Sequence, residues 1–446
     1  MKPIFNEEKK FLELKLGIIL PNDCWRHGSK IYLNHFDERP IITFKVDGLC
    51  DEIKIKKNSL NNVNCKSYTL EQEYNLIKKV LNEKYLQSIE MTKMWILKYK
   101  NSHKLFVSIS GGKDSDITKY IVDKSIQEIG EEIQYNLIAF NTSNDTAETY
   151  KYLKQEHNMS KDSIISPKLG YYQWITKKKK YFTPTVMNRN CCSTYKEGQM
   201  TKVMDKKDNI LIFLGMRAEE SSKRSHYDWN LNKAQINKGK KLNVPENWIR
   251  FLPIVKWSDA EIWLFILHNN LSYNKMYDLG FNRVGCLICP FQSDYIDLLI
   301  REYYPTQWER WKDILTKNYE LFGIKRRLKW SLLEWTYGGK WKQGTSKEQE
   351  LINKKATTER VSQLANLKNI SEETALKYFN KECKCHKKLN PSEIAMNLKI
   401  FGTYENKDDD NRVYLCKKCL CEKLNISNKD YVEKVKEFTY GGCNLF

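Results

Sequence analysis

Leu105-Phe106-Val107-Ser108-Ile109 runs directly into Ser110-Gly111-Gly112-Lys113-Asp114-Ser115, and a helical pattern continues from there through Ile126. This junction decides the fold. The first five residues form a short, mostly apolar, β-branched run, as expected for a buried parallel strand. In the hexapeptide, two glycines let the backbone approach a phosphate closely. The helix that follows offers free N–H groups and the positive end of its dipole. Ser110, Ser115 and Lys113 add side-chain donors, and Asp114 is placed to shape the loop or help hold a magnesium ion. The segment reads as the phosphate cradle of a nucleotide site; an ordinary strand-to-helix turn is the plainer alternative.

On either side the pattern stays α/β. Tyr135 to Phe140 and Ile210 to Leu214 are further strand-like runs, and Leu70 to Tyr99 is a long helical pattern. Strands alternating with helices predict an open parallel sheet with flanking helices and right-handed crossovers. Residues 1–68 read as a small β-rich domain, with runs at Lys30–Asn34 and Ile41–Val46 and a basic face at Arg26, His27 and Lys30. The α/β domain occupies 69–300. Residues 301–380 form a helical extension rich in Trp and Tyr, and 381–446 a compact, cysteine-dense tail. In the extension, Trp308, Trp311, Arg326, Arg327, Trp330 and Trp335 interleave aromatic with basic side chains. Such interleaving could stack bases and bind phosphates, but helical spacing fits a packed core equally well. Lys177 to Lys180 is a run of four lysines, read as a solvated loop or a polyanion contact.

The formal net charge is +20 over 446 residues, which favours phosphate-bearing partners, although a lysine-rich solvated surface gives the same sum. The N-terminus lacks an apolar signal core, and no stretch approaches the ~20 apolar residues of a membrane span. A cytoplasmic location without membrane association is therefore expected. In that reducing setting, the 13 cysteines read as metal ligands or redox groups rather than disulfides.

Cys383-Lys384-Cys385-His386 lies about thirty residues before Cys416-x-x-Cys419. Two close ligand pairs at that separation predict a structural zinc module held by Cys383, Cys385, Cys416 and Cys419, with His386 an alternative to Cys385. Cys421 and Cys443 are left over.

The central motifs resemble a known family. Ser108-Ile109-Ser110-Gly111-Gly112-Lys113-Asp114-Ser115 is similar to the phosphate loop of the PP-loop ATP pyrophosphatase superfamily (adenine nucleotide alpha hydrolase-like). Three more segments resemble its phosphoadenosine phosphosulfate reductase branch. They are Gly215-Met216-Arg217 with Glu220-Ser221 and Arg224, Pro253 through Trp257 and Asp259 to Trp263, and Gly285-Cys286-Leu287-Ile288-Cys289-Pro290. The resemblance covers about 104–300. It implies an ATP or adenylyl sulfate site with Mg2+, built from Ser110, Gly111, Gly112, Lys113, Asp114, Ser115 and Thr142. It also implies catalytic roles for Lys113, Asp114, Arg217, Glu220 and Arg224. The forked donors of Arg217 and Arg224 suit phosphate or sulfate, and Glu220 could orient one of them. Asn141 and Ser143 depart from the family's Asp-Thr-Gly, which weakens a metal or ribose role there. Cys191-Cys192 with Cys286-x-x-Cys289 matches the pattern that holds a [4Fe–4S] cluster in adenylyl-sulfate reductases; zinc or buried thiols are the alternatives. Arg189, Lys196 and Arg283 stand near these cysteines in sequence.

Two reactions fit the resemblance. One is ATP-dependent sulfur transfer: the enzyme adenylates an oxygen of a nucleic acid (tRNA or DNA), and sulfur from a donor protein or sulfide displaces AMP. The other is reduction of adenylyl sulfate or phosphoadenylyl sulfate to sulfite by a thiol nucleophile. The intact loop favours the first, because a dedicated reductase has no pyrophosphate to release. The paired cysteines favour the second, yet the reductases' Glu-Cys-Gly-(Leu/Ile)-His tail is replaced here by Gly441-Gly442-Cys443-Asn444. A binding module with an inactive loop is a third class, which pyrophosphate release would exclude.

Overall fold

The computed structural model describes residues 1–60, 66–221, 224–239, 242, 244–323, 330–343, 361–362, 365, 371–372, 381–387, 389, 391–401 and 413–440. The chain divides into two compact units, Met1–Thr345 and Ser346–Phe446. Arg326, Arg327 and Cys443, named above, lie outside the described residues.

In the first unit, β6 (Lys104–Ser108) leads through the glycine loop into α3 (Lys113–Ile129), and β7 (Asn136–Phe140) leads to α4 (Ala147–Glu156). With β8 (Ile164–Ile165), β9 (Ile210–Phe213) and β10 (Trp248–Phe251) they form a five-stranded sheet in the order β10-β9-β6-β7-β8. Every pairing is parallel. All four side chains of β9 are buried, as a strand covered on both faces requires. The chain runs outward from β6 through β7 to β8 and then returns to the other side of β6. The crevice at the carboxyl end of β6 is thus the topological switch point, where open α/β sheets bind ligands.

α2 (Leu70–Tyr99) begins at a capping box, with Thr69 and Gln72 satisfying each other's backbone N–H, and it packs on α3 and on helix Asp259–His268. The N-terminal residues form an antiparallel sheet, β1 (Lys2–Pro3), β2 (Trp25–His27), β3 (Lys30–Tyr32), β4 (Ile42–Asp47) and β5 (Glu52–Asn58), beside α1 (Asn6–Leu16). This sheet shares one apolar core with residues 276–315. Trp308, Trp311, Trp335 and Trp341 are buried in that core, so in this extension helical packing, not base stacking, accounts for them. A buried charged group fastens the N-terminal sheet to the 277–282 segment. Glu8 takes Lys2 and Arg26, Lys2 also donates to the Tyr277 carbonyl (3.0 Å), and Arg26 donates to the Gly280 carbonyl (2.6 Å).

The second unit contains helices Pro391–Phe401, Lys417–Leu424 and Asn428–Tyr440 and a bridge pairing Cys383 with Tyr414. These surround a small core of their own. Among the described residues, no helix is long and apolar enough to cross a membrane.

Candidate active site

Three loops meet at the switch point. The first is Ser110–Ser115. Gly111 adopts φ +73°, a left-handed conformation that favours glycine, and a Cβ there would press on Thr149. The Ser115 hydroxyl accepts from the Ser110 N–H (3.1 Å) and donates to the Gly112 carbonyl (2.7 Å), which closes the loop on itself. Tyr277 accepts from the Lys113 N–H (3.2 Å).

The loop after β9 supplies Gly215 and Arg217. A Cβ at Gly215 would stand 2.7 Å from the Asp114 backbone, so only glycine lets this loop lie against the start of α3. Arg217 is buried, and its fork spans two carboxylates, Asp114 (Nε, 2.6 Å) and Asp259 (2.8 Å), with Glu219 at 2.9 Å. Lys113 is buried as well and pairs with Asp114 (2.8 Å) and Asp259 (2.9 Å). The sequence assigned these two cations to phosphate or sulfate; in the structure both also reach the carboxylates of Asp114 and Asp259. Glu220 accepts from the Arg217 backbone N–H (2.9 Å) and pairs with the Arg224 guanidinium, so it ties the Arg224 side chain to the backbone of this loop.

This cluster tunes itself. Burial opposes the charge on Asp259, but Lys113, the N-terminal ammonium and Arg217 outweigh it and hold the carboxyl well below its ordinary range. Burial likewise disfavours the ammonium of Lys113, and Asp114 and Asp259 more than offset it, raising its pKa.

The loop after β7 supplies Thr142, which connects the crevice to the cysteines. Thr142 is buried, donates to Asp145 through both N–H (2.9 Å) and hydroxyl (2.8 Å), and lies 3.6 Å from the Cys286 Sγ. Asn144 donates to the Ile288 carbonyl (2.8 Å) and accepts from its N–H (3.3 Å). Gln292 closes the same turn by bonding the Cys289 N–H (3.0 Å) and the Cys286 carbonyl (3.1 Å). Cys191 lies within electrostatic reach of Cys192, Cys286 and Cys289, so all four expected cysteines share one neighbourhood. Cations surround them. Arg283 donates toward Cys289 (3.5 Å), and Lys196 is held charged chiefly by Cys286. The vicinal pair shares a hydrogen bond that lowers Cys192 and raises Cys191, and Arg189 and Lys196 further favour the Cys192 thiolate. Four thiol groups ringed by three cations are a donor set suited to an anionic iron–sulfur group.

In the second unit, Cys383, Cys385, Cys416 and Cys419 place their sulfurs within 4.8 Å of one another, a group able to hold a metal ion. Cys385, not His386, completes this group. Cys421 is buried outside it.

Sequence reasoning gave no role to Asp259, Tyr277, Asn144 and Asp145, although Asp259 and Tyr277 stand in or beside the segments that resemble the family. Asp259 did carry a signal: a carboxylate at the first position of a helix, directly after the Ser258 cap. Asn144 and Asp145 carried none, because their partners are set by loop packing.

An open parallel α/β sheet with a phosphate-type loop at its switch point and a cysteine site alongside defines a PP-loop fold. Residues 104–292, less than half of the chain, match the phosphoadenosine phosphosulfate reductase domain, the family to which this part of the chain is similar. An uncharacterized protein of Methanocaldococcus jannaschii is 28% identical over 56% of this chain and 50% of its own length. The adenosine 5'-phosphosulfate reductase of Anoxybacillus flavithermus is 26% identical over 32% of this chain and 56% of its own length. The chain thus spans little more than half the length of these curated relatives. Among solved structures, the U34-tRNA thiolase NcsA of Methanococcus maripaludis, with its [4Fe-4S] cluster, aligns at 17% identity, covering 55% of this chain and 80% of that one, with a TM-score of 0.29.

Proposed function

We propose that the protein is an ATP-dependent sulfurtransferase acting on a nucleic acid. An acceptor oxygen attacks the α-phosphate of ATP, pyrophosphate leaves, and a sulfur nucleophile then displaces AMP. The observation that carries this reading is the 3.6 Å approach of Cys286 to Thr142, which joins the cysteines to a switch-point crevice with an intact Ser-Gly-Gly-Lys-Asp-Ser loop. The glycine loop and the start of α3 bind the triphosphate with Mg2+. Glu220 holds Arg224 at the rim, and the Lys113–Asp114–Arg217–Asp259 cluster keeps the loop in shape. Cys191, Cys192, Cys286 and Cys289 would hold a [4Fe–4S] cluster, which when bound supplies a site for sulfur or electrons. Cys383, Cys385, Cys416 and Cys419 would hold zinc. Tetrahedral zinc with Zn–S near 2.3 Å sets sulfurs about 3.8 Å apart, and Cys385 and Cys416 stand 3.7 Å apart.

The second reading, a sulfonucleotide reductase, is favoured by the names of several curated relatives, all adenosine 5'-phosphosulfate reductases. Anaerobically purified protein separates the two readings. Pyrophosphate release from ATP, stimulated by tRNA or DNA, is the expected result. Sulfite formation from adenylyl sulfate with no pyrophosphate release from ATP would overturn the first reading in favour of the second.

A further inference from the structure

Outside the active site, a groove of about 360 Å³ runs between the short helical segment 171–178 and helix Pro305–Asn318. Tyr172, Tyr181, Arg310 and Lys317 line it, with Asp313 the one carboxylate among its lining residues. Arg310 is exposed, and its guanidinium lies over the Tyr172 ring at 4.1 Å. The Tyr172 ring therefore covers one side of that cation, while the residue as a whole is exposed. Lys317 leans on Glu320, whereas Arg310 has no ion pair among the described residues.

The lysine run Lys177–Lys180 ends at this groove in an unusual turn. Lys180 and Tyr181 are consecutive non-glycine residues with φ of +47° and +66°. Such strain persists only where surrounding bonds impose it. Here the Tyr181 N–H donates to the Ile175 carbonyl (2.9 Å), and Asn318 donates to the Tyr181 carbonyl (2.7 Å). The turn fixes Tyr181 in the groove wall and leaves Lys177, Lys178 and Lys180 exposed beside it.

We propose that this groove binds a single-stranded segment of nucleic acid, one base stacking on the opposite face of Arg310 and the adjoining phosphates lying along Lys177, Lys178 and Lys180. Every base has a π-face, and a guanidinium plane stacks on it without reading sequence. A duplex keeps its bases inside and offers only phosphates to the groove, so the pre-stacked Arg310 selects single strands. The groove also adjoins the cysteine region: Tyr172 packs edge-on against Tyr171, whose ring packs in turn against Tyr195, three residues after Cys192. The inference rests on the reading that the sulfur acceptor is a nucleic acid.

The test uses the full chain and a fluorescently labelled 12-nucleotide single strand, with anisotropy measured across salt concentrations. Arg310→Ala is expected to weaken binding about tenfold. Arg310→Lys keeps the charge but loses the plane, and should weaken it nearly as much. The triple variant Lys177→Ala, Lys178→Ala, Lys180→Ala should make the log–log salt slope shallower by about 2. Lys56→Ala with Lys57→Ala, on exposed β5, should change nothing. Wild-type affinity in both Arg310→Ala and the triple variant overturns the groove while leaving the acceptor reading intact. An Arg310→Lys variant that binds as wild type, or a 12-base-pair duplex bound as tightly as the single strand, overturns the stacking claim. If the wild-type chain binds single strands no better than an unrelated protein of equal charge, the acceptor reading itself fails.

Discussion

Cys383, Cys385, Cys416 and Cys419 draw their sulfurs within 4.8 Å of one another, and among the described residues no other His, Cys, Asp or Glu group does so. Cys191, Cys192, Cys286 and Cys289 gather more loosely, beside a nucleotide-type crevice and among Arg189, Lys196 and Arg283. A single tetrahedral ion needs the first spacing, and a four-iron group, with more atoms between its thiolates, needs the second. The surroundings differ in the same sense. In the C-terminal set Cys383 and Cys416 are buried in a small core with their neighbours Leu415 and Leu420, while Cys385 is exposed. The other set touches Thr142 at the mouth of the crevice, as suits a site that works on a ligand. Four cysteines in a sequence thus specify a donor set, while the spacing and company of the sulfurs separate scaffold from chemistry.

The sharpest way to break this comparison is to remove one ligand from each set. Anaerobic protein is expected to hold four iron, four sulfide and one zinc per chain. Cys286→Ser should abolish the iron and retain the zinc, and Cys416→Ser should do the reverse and also unfold the second unit, since a structural metal site contributes folding energy directly. Metal analysis with circular dichroism reads both outcomes. Loss of both metals from either variant, with the rest of the chain still folded, would show that the sites are not independent.

The next effect concerns the charge cluster that backs the crevice. Asp259→Asn leaves Lys113 and Arg217 each short of a carboxylate, and should cost the first unit about 3 kcal/mol. Lys113→Ala should cost a similar amount, so its loss of ATP turnover should come with a loss of stability, which the sequence alone did not foretell. The pH dependence follows from Asp259. Its folded pKa is depressed, so the stability it contributes is present above about pH 4, where the unfolded carboxylate is ionised, and is lost as pH falls toward the folded value. Urea melts of the first unit should therefore show a shallower acid limb in Asp259→Asn than in wild type. An unchanged limb would mean that Asp259 is not held by its cations.

How much of this was legible in the sequence follows from what each element depends on. The β6–loop–α3 junction was legible because its signals are local: an apolar run, two glycines and a helical pattern. Both ends of α2 were legible for the same reason. β5 was not, because Lys54, Lys56 and Lys57 give it a solvent-like pattern and its strand state comes from pairing with β4. β10 was missed because Arg250 interrupts its apolar run, and that side chain is satisfied by Asn232 and Gln235 of a neighbouring helix. In the site, motif residues were readable but their partners were not. The partners of Arg217 were not readable because nothing in its own segment announces Asp114 and Asp259, which lie 103 and 42 residues away. The Trp-rich helices carried two meanings that only burial separates.

The smallest expected effect sharpens the comparison most finely, because it changes the company of the crevice-side sulfurs without touching them. Lys196 owes its raised pKa first to Cys286, with Asp145 and Cys192 also contributing. A methionine there keeps most of the aliphatic stem and removes the charge. If the four cysteines hold an iron–sulfur group, loss of a nearby cation should lower its reduction potential and leave iron content close to wild type. Outer-shell substitutions of this kind typically cost tenfold or more in activity, so Lys196→Met should reduce turnover about tenfold. Spectroelectrochemical titration measures the potential, and pyrophosphate release measures the turnover. The equivalent change beside the other set, Lys387→Met, removes a cation whose main partner is Glu393, and should leave zinc content and turnover as they were. A potential unchanged by Lys196→Met would show that the cations around Cys286 do not act on what those cysteines hold, and the functional contrast between the two sets would then rest on spacing and on the contact with Thr142.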